Sequence, residues 1–402
     1  MTPPSRSAAR RIATARLISL TGSQAAFTAL VVAVYRQTGS PGWISAVLLV
    51  GFWTSGLLTP FAGALGDRFD RRRVMIASDL AGAAAYAAFA FAHSPWTLLI
   101  LAFLDAATAA PFLPAASAAV PNLVVDDDLA WANGTIAFGS NIGYVAGPAL
   151  GGLLAATVGP TTVFVANALS FVLSALLVAS VRGPFTRTPS HRDAGDAAGA
   201  RHGGLWGGFA FIARDRVLRR IAISFLPFAI AVGSVLVAEL PLANAFGFGS
   251  FGYGLLSAAF GTGALVGALG ARRLTLATER RAMVIGSALT AVGLGLAARA
   301  PAFWVVLAAM VIAGTADGVV DVSVELTFQR RPPDHLRSRV VAGLETVFLL
   351  GLAVSFLFAG PFVRTFGPKA AYALAAGGGA ITAIMLSPLL RRSFDRPDGT
   401  RG

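Results

Sequence analysis

Seven acidic residues lie inside long apolar stretches of this 402-residue chain, and they are the side chains best suited to do chemistry there. They are Asp79, Asp105, Glu239, Asp317, Asp321, Glu325 and Glu345. An ionisable group among apolar neighbours is costly unless it faces a cavity or a partner, so each is a candidate functional group. The candidates for carrying a proton are Asp105, Asp317, Asp321, Glu239 and Glu345. For any one of them, an ion pair that only fixes helix packing is the alternative.

The acids differ in their expected depth along the predicted helices. Asp317, Asp321 and Glu325 follow one another at four-residue spacing, which places them on one face of a helix. A buried carboxyl beside another carboxyl readily holds a proton, which favours Asp317, the deepest of the three. Glu325 is expected near the interface, paired with Arg330 or Arg331. Asp105 is expected near the middle of the fourth predicted helix.

Twelve apolar stretches must position these acids. Hydrophobic residues make up 55% of the chain and charged residues 13%, with a mean hydropathy of +0.70. Each stretch is long enough to cross a hydrocarbon core of about 30 Å as a helix. The predicted helices are 12–37, 41–66, 74–93, 95–121, 129–158, 160–182, 218–247, 251–275, 279–299, 301–329, 336–365 and 367–391.

Basic residues predict the orientation. Of the 32 Lys and Arg residues, 28 fall on one side of the twelve stretches, and only Arg36, Arg299, Arg364 and Lys369 fall on the other. The positive-inside rule then places both termini in the cytoplasm of a multi-pass plasma-membrane protein. The net charge of +13 is explained by these loops facing lipid headgroups, which argues against nucleic acid as a partner.

The segment 183–217 is the one polar break in the pattern. It predicts a domain 1–182, a cytoplasmic linker 183–217 and a domain 218–402. The fold class expected is an all-α membrane protein with twelve transmembrane helices in two pseudo-symmetric six-helix bundles, the layout of a parallel-repeat transporter.

A basic loop after the second predicted helix suggests a conformational latch. Its residues are Gly63, Asp67, Arg68, Asp70, Arg71 and Arg72, with Asp79 behind the loop as an expected partner. An acid at a helix end can pair with arginine or with the positive end of a neighbouring helix, and release as the protein changes state. A generic basic loop that obeys the positive-inside rule is the alternative.

The fifth predicted helix carries glycines at close spacing around a proline. They are Gly143, Gly147, Pro148, Gly151 and Gly152. Small residues at four-residue spacing allow two helices to approach closely, and proline kinks a helix. Physics alone favours the interpretation that this is a kinked helix whose glycines serve close packing.

Both motifs resemble signatures of the major facilitator superfamily. The loop is similar to G-x-L-x-D-R-x-G-R-K/R, with Asp70 in place of the second glycine. Its form resembles the branch that contains the enterobactin exporter and macrolide-efflux-type proteins. The helix is similar to the antiporter motif G-x-x-x-G-P-x-x-G-G, with every named position filled. The resemblance implies a monomeric transporter that exports a small amphipathic organic molecule, such as a drug, antibiotic or siderophore, in exchange for protons. The sequence departs from many drug exporters of the superfamily in one respect. Those proteins carry an arginine in the fourth helix, whereas residues 95–121 of this chain contain none.

Other function classes fit less well. An integral-membrane enzyme would need catalytic groups, yet the chain has no Cys, and its four His fall in predicted loops without metal-ligand spacing. We therefore expect no metal and no cofactor. A proton-coupled importer remains the alternative within transport, and a non-transporting sensor the alternative outside it.

Overall fold

The computed structural model describes the backbone of residues 6–183, 185, 206–275 and 278–390, and the side chains of those residues except 59–68, 126, 206, 334–335 and 337–338. Within these ranges the chain is helical and contains no β-strand. Its helices are α1 Arg6–Thr38, α2 Pro41–Arg68, α3 Arg71–Phe89, α4 Pro95–Ala109, α5 Phe112–Leu123, α6 Leu129–Thr157, α7 Pro160–Ser180, α8 Trp206–Arg214, α9 Arg216–Ala245, α10 Gly249–Ala271, α11 Glu279–Arg299, α12 Phe303–Arg330, α13 Asp334–Phe366 and α14 Pro368–Leu386.

Ten helical segments of the described chain are long and apolar enough to cross a membrane. One of them, Pro95–Leu123, joins α4 and α5. Helices α3 and α6 are not among the ten, and α3 begins with three arginines. Large apolar side chains such as Phe91 (77% exposed) and Ile384 (70%) face outward, as lipid contact requires. The predicted all-α membrane fold is confirmed, whereas the count of twelve spans stays a prediction.

The fourth predicted helix, 95–121, is broken in the structure. Helix α4 ends at Ala109, a turn covers Ala110 and Pro111, and α5 begins at Phe112. Proline lacks an N–H and its ring clashes with the carbonyl four residues earlier, so a continuous helix is disfavoured at Pro111. The carbonyl of Thr108 next to this break accepts a hydrogen bond from the Ser78 hydroxyl of α3. The Ser78 hydroxyl therefore supplies a hydrogen-bond partner to a carbonyl at the end of α4.

The first helix begins at Arg6, earlier than the predicted residue 12. Arg6 forms an ion pair with Asp128 at 2.7 Å, and this hydrogen-bonded guanidinium holds the pKa of the Asp128 carboxyl below its usual value. The guanidinium of Arg6 also lies over the Trp131 ring, 5.3 Å from its centroid. These contacts with the start of α6 extend α1 beyond its apolar stretch.

The described contacts divide the chain into two compact units. The first unit is Met1–Pro189 with Glu239–Ala258, and the second is Ser190–Ala238 with Ala259–Gly402. In the first unit α1 packs against α6 and α7, and α3 packs against α7. One of its apolar clusters includes Ile12, Met75 and Phe112, all buried. The predicted domain boundaries at 182 and 218 stay a prediction.

In the second unit α11 packs against α12 and α14. Its apolar cluster includes Leu218, Met283 and Phe328. The predicted linker 183–217 is not wholly irregular, because Trp206–Arg214 forms helix α8 and packs against α13. The sequence WGGFAFIAR is apolar enough to bury one face, which a polar linker would not do.

Candidate functional site

A cavity of about 720 Å³ opens within the second unit, between α9, α12 and α13. Apolar side chains line most of it, among them Phe225, Phe228, Phe328 and Phe348. Four of the acids singled out from the sequence also line it: Asp317, Asp321, Glu325 and Glu345. No Arg, Lys or His is among the described residues that line this cavity. Such a volume and lining suit a drug-sized organic ligand.

Helix α12 brings three of these acids to the cavity by its regular spacing, and glycines fix the helix in place. A Cβ at Gly318 would lie 2.9 Å from the Cα of Ala264 on α10, so only glycine permits this approach. A Cβ at Gly314 would lie 2.9 Å from the carbonyl carbon of Phe260. Two glycines four residues apart thus hold α12 tightly against α10, as small-residue stripes do in membranes.

The expected pairing of Glu325 with Arg330 or Arg331 is wrong. Arg330 pairs instead with Glu279 of α11 at 2.9 Å, and Arg331 pairs with Asp215 at 3.1 Å. Glu325 accepts a hydrogen bond from the Gln329 side chain one turn later. Glu325 also lines the large cavity, which the sequence alone did not indicate.

Asp105 lies elsewhere, in the first unit. The Tyr86 hydroxyl of α3 donates a hydrogen bond to its Oδ2 at 2.9 Å. The Tyr86 ring is buried among Phe89, Phe164 and Phe171, with centroids 5.3 to 6.4 Å away. A neutral hydroxyl, and not an arginine, is thus the described partner of this acid.

Glu239 is also apart from the large cavity. It is 4% exposed and belongs to the first unit. The Ser257 hydroxyl of α10 donates a hydrogen bond to its Oε2 at 2.9 Å. Helix α9 continues past Pro241 to Ala245, so the proline next to Glu239 does not end the helix.

Asp79 is buried in the first unit, and its Oδ2 has no hydrogen-bond partner among the described residues. The Arg16 guanidinium of α1 interacts with its carboxylate electrostatically. No described hydrogen bond or ion pair joins Asp79 to the loop before α3. Its partnership with the expected latch therefore stays a prediction.

Two arginines at the start of α3 donate hydrogen bonds to backbone carbonyls of other helices. Arg71 donates to the carbonyl oxygen of Ala118 at 2.7 Å, and Arg72 donates to that of Ala179. Asp70 caps α3 by accepting a hydrogen bond from the backbone N–H of Arg73 at 3.0 Å. Ala179 lies in the last turn of α7, where carbonyls lack an intrahelical partner, whereas the Ala118 carbonyl also accepts a hydrogen bond from the Asn122 side chain of α5. The surroundings of Gly63 and the side chains of Asp67 and Arg68 are not described.

The glycines of the antiporter-like motif pack α6 against two partners. A Cβ at Gly151 would lie 2.6 Å from the Cα of Ala25 on α1, and one at Gly147 would lie 2.9 Å from the carbonyl oxygen of Thr21. On α10, Gly254 meets Gly152, whose Cβ would lie 2.8 Å from the Gly254 Cα. Gly143 and Pro148 are buried in the same helix. The motif therefore makes α6 a close-packed element of the first unit.

The hydroxyl groups that donate hydrogen bonds to the acids were not predicted from the sequence. Tyr86 and Ser257 lie 19 and 18 residues along the chain from the acids to which they donate, so no local spacing pointed to them. In the described part of the chain, no group of three or more His, Cys, Asp or Glu residues is arranged to hold a metal ion.

The chain is similar to known proteins in both sequence and fold. A sequence model of the Major Facilitator Superfamily matches residues 12–342 and 221–402. The chain is 30% identical to "Macrolide efflux protein A" of Streptococcus pyogenes over 172 residues, 42% of each protein. It is 29% identical to "Multidrug efflux pump Tap" of Mycobacterium tuberculosis over 96% of each protein. The fold is similar to that of the nucleoside transporter NupG, with a TM-score of 0.75 at 12% identity over 96% of this chain and 99% of that one.

Proposed function

Because this chain belongs to the major facilitator superfamily of membrane transporters, we propose that it exports small amphipathic organic molecules in exchange for protons, by alternating access. The resemblance noted in the sequence, to the superfamily and to its efflux branch, is confirmed by the family match and by the two efflux-type relatives. A multi-pass membrane transporter is thereby established. The proton, the direction and the substrate class are the proposal.

The observation that carries the proposal is the acid-lined apolar cavity of about 720 Å³. Its phenylalanines offer apolar contact, and its four acids offer negative charge without a basic residue among the described lining. An amphipathic molecule with a positive group fits this combination, because a buried carboxylate is stable when a cation pairs with it. Protons can take the place of that cation on the same carboxylates.

Competition between protons and a cationic substrate for the same carboxylates would couple their movements in opposite directions. When the cavity faces the side with more protons, the carboxylates are protonated and their attraction for a cationic substrate is lost. When it faces the other side, they lose protons and bind substrate again. We assign this role first to Asp317, with Asp321 and Glu345 beside it, and to Asp105 in the other unit. Glu239 is the remaining candidate.

We further propose that the protein works as a monomer in the plasma membrane with both termini in the cytoplasm. The alternating basic residues of the sequence support that orientation. Export would then carry substrate away from the cytoplasm, as the names of the efflux-type relatives suggest.

Reconstituted liposomes with an imposed pH gradient test the function. The probes are ethidium, as an amphipathic cation, and erythromycin, as a macrolide. We expect the parent protein to accumulate a probe against its gradient only when a pH gradient is present, and a pH dye to report protons moving the opposite way. Asp317→Asn should abolish this uphill movement but keep downhill exchange.

Asp127→Asn, a change in an exposed loop acid, is the matched control and should pump like the parent. Symport of proton and probe in the parent would instead make the protein an importer. If both Asp105→Asn and Asp317→Asn pump uphill as well as the parent does, the assignment of these acids is wrong.

A further inference from the structure

Two arginines from different helices meet the C-terminal end of α7 in the first unit. The Nη1 atom of Arg11 on α1 donates to the Ser180 carbonyl oxygen at 2.7 Å and to the Ser180 hydroxyl at 3.1 Å. Arg72 of α3 donates to the carbonyl oxygen of Ala179. Helices α1 and α3 both pack against α7, so the two side chains reach this end from two neighbouring helices. Arg182, two residues beyond Ser180, is exposed, and we call Arg11, Arg72 and Arg182 the α7 basic cluster.

The positive charge of the α7 basic cluster exceeds what the helix end balances. The C-terminus of a helix carries the equivalent of about half a negative elementary charge. Arg11 and Arg72 bring two full positive charges to successive carbonyls of that end, and Arg182 adds a third nearby in sequence. The cluster keeps a net positive charge even when the carboxylate of Asp70, which caps α3, is counted with it. An anion beside the cluster therefore lowers the repulsion between its guanidinium groups.

The cluster also has hydrogen-bond donors for such an anion. Arg11 is exposed, and both of its described bonds start from Nη1. Its Nη2 and Nε groups have no acceptor among the described residues. A guanidinium has five N–H donors in a planar fork, which matches the oxygen atoms of a phosphate group. The guanidinium of Arg72 lies over the Phe185 ring, 5.8 Å from its centroid, which holds the second charge in place.

An exposed apolar stripe on α7 leads to the cluster. It consists of Leu169, Leu173 and Leu176, which are 64%, 45% and 62% exposed. Their spacing places them on one face of the helix, and the exposed residues Ala179 and Ser180 continue that face. The rise from Leu169 to Ser180 is about 16 Å, close to half the thickness of a bilayer's hydrocarbon core. The stripe therefore spans one leaflet, and the basic cluster lies where the headgroups of that leaflet begin.

We propose that the α7 basic cluster binds the headgroup of an anionic phospholipid, such as phosphatidylglycerol, whose acyl chain lies along the stripe of Leu169, Leu173 and Leu176. The lipid phosphate accepts hydrogen bonds from Arg11 and Arg182. A zwitterionic headgroup fits less well, because it brings a cation of its own to a positively charged cluster. A soluble phosphate has no acyl chain to cover the stripe. The site goes beyond the proposed function, since it depends on neither the substrate nor the direction of transport.

Native mass spectrometry of the purified full chain tests the site. The protein in detergent is incubated with dioleoyl-phosphatidylglycerol, dioleoyl-phosphatidylcholine or glycerol 3-phosphate at equal concentrations. The two lipids have the same acyl chains, so a difference between them reports on the headgroup, whereas glycerol 3-phosphate carries the phosphate without the chains. We expect the phosphatidylglycerol adduct to survive collision energies that remove phosphatidylcholine. We expect glycerol 3-phosphate to leave no adduct.

Matched variants of neighbouring arginines locate the lipid. Arg11→Gln should raise the half-saturating concentration of phosphatidylglycerol by about tenfold or more, as expected for loss of a hydrogen bond between charged groups. Arg10→Gln removes the same charge at the preceding residue, but the Arg10 guanidinium lies over the Trp131 ring, 5.6 Å from its centroid. This control should bind phosphatidylglycerol like the parent. If Arg11→Gln fails to fold without its bonds to Ser180, Arg182→Gln replaces it, with weaker binding again expected.

Equal retention of phosphatidylglycerol and phosphatidylcholine by the parent would overturn the lipid site. A folded Arg11→Gln or Arg182→Gln protein that binds phosphatidylglycerol as the parent does would also overturn it. Retention of glycerol 3-phosphate as strong as that of phosphatidylglycerol would contradict the role of the apolar stripe and leave a site for soluble phosphates. None of these results bears on the proposed export, because the binding measurement uses neither a pH gradient nor a transported probe.

Discussion

The Tyr86 hydroxyl donates a hydrogen bond to Asp105 Oδ2 at 2.9 Å, and this bond joins α3 to α4 in the interior of the first unit. Helix α4 supplies no basic residue of its own. The tilted ring of Phe89 and the stacked ring of Phe171 hold Tyr86 in place, so its hydroxyl stays directed at the carboxyl. The position and charge of Asp105 therefore depend on a phenol, a group that does not itself ionise near neutral pH.

Tyr86→Phe tests that dependence. The change keeps the ring packing and removes the donor, and loss of a hydrogen bond to a charged group costs about 1.5–3 kcal/mol. We expect a lower unfolding temperature and slower uphill export, measured in detergent and in liposomes respectively. Tyr144→Phe, at a residue that is 52% exposed, should change neither. A Tyr86→Phe protein as stable and active as the parent would show that the bond contributes nothing.

The sequence predicted the helices well because each depends on a local property, an apolar run of sufficient length. Helices α7 and α11, for example, were expected at 160–182 and 279–299 and lie at Pro160–Ser180 and Glu279–Arg299. The break at Pro111 was missed, although proline gives a local reason for it. Helix α8 was missed because a nine-residue segment is too short for a periodic pattern to stand out.

The candidate site was only partly predictable. The spacing of Asp317 and Asp321 correctly placed both on one helix, and the structure shows that they line a cavity. The partners of the acids were not predictable, since Tyr86 reaches Asp105 and Arg330 reaches Glu279 through tertiary packing. Helix periodicity limits which side chains share a face, but it does not say which helix that face meets.

Gly151→Ala tests the packing role of the antiporter-like motif. The added methyl would lie 2.6 Å from the Ala25 Cα, and overpacking of this kind costs about 1–3 kcal/mol. We expect a lower unfolding temperature and impaired export. Gly134→Ala, in the same helix with nothing within 4 Å of the added Cβ, should be neutral or stabilising because alanine favours a helix. Equal behaviour of the two variants would remove the packing explanation.

Asp67→Asn tests the proposed latch. Helix α2 ends at Arg68, so Asp67 lies in the last turn, where the helix dipole disfavours a negative charge. Removing that charge should leave the unfolding temperature unchanged or slightly higher, and so any loss of export reports on function. We expect export to fall several-fold while the amount of folded protein in the membrane is maintained. Unchanged export, alongside the Asp127→Asn control, would assign Asp67 no role in switching.

Single-cysteine labelling tests the orientation, because the natural chain has no Cys and any introduced thiol is the only target. The 28 basic residues on one side predict that Ser190 faces the cytoplasm and that His93, an exposed residue, faces outward. A membrane-impermeant maleimide applied to intact cells should therefore label His93→Cys and not Ser190→Cys. After the cells are permeabilised, both should be labelled to a similar extent. Labelling of Ser190→Cys in intact cells would reverse the orientation, and the proton and substrate directions proposed above would have to be exchanged with it.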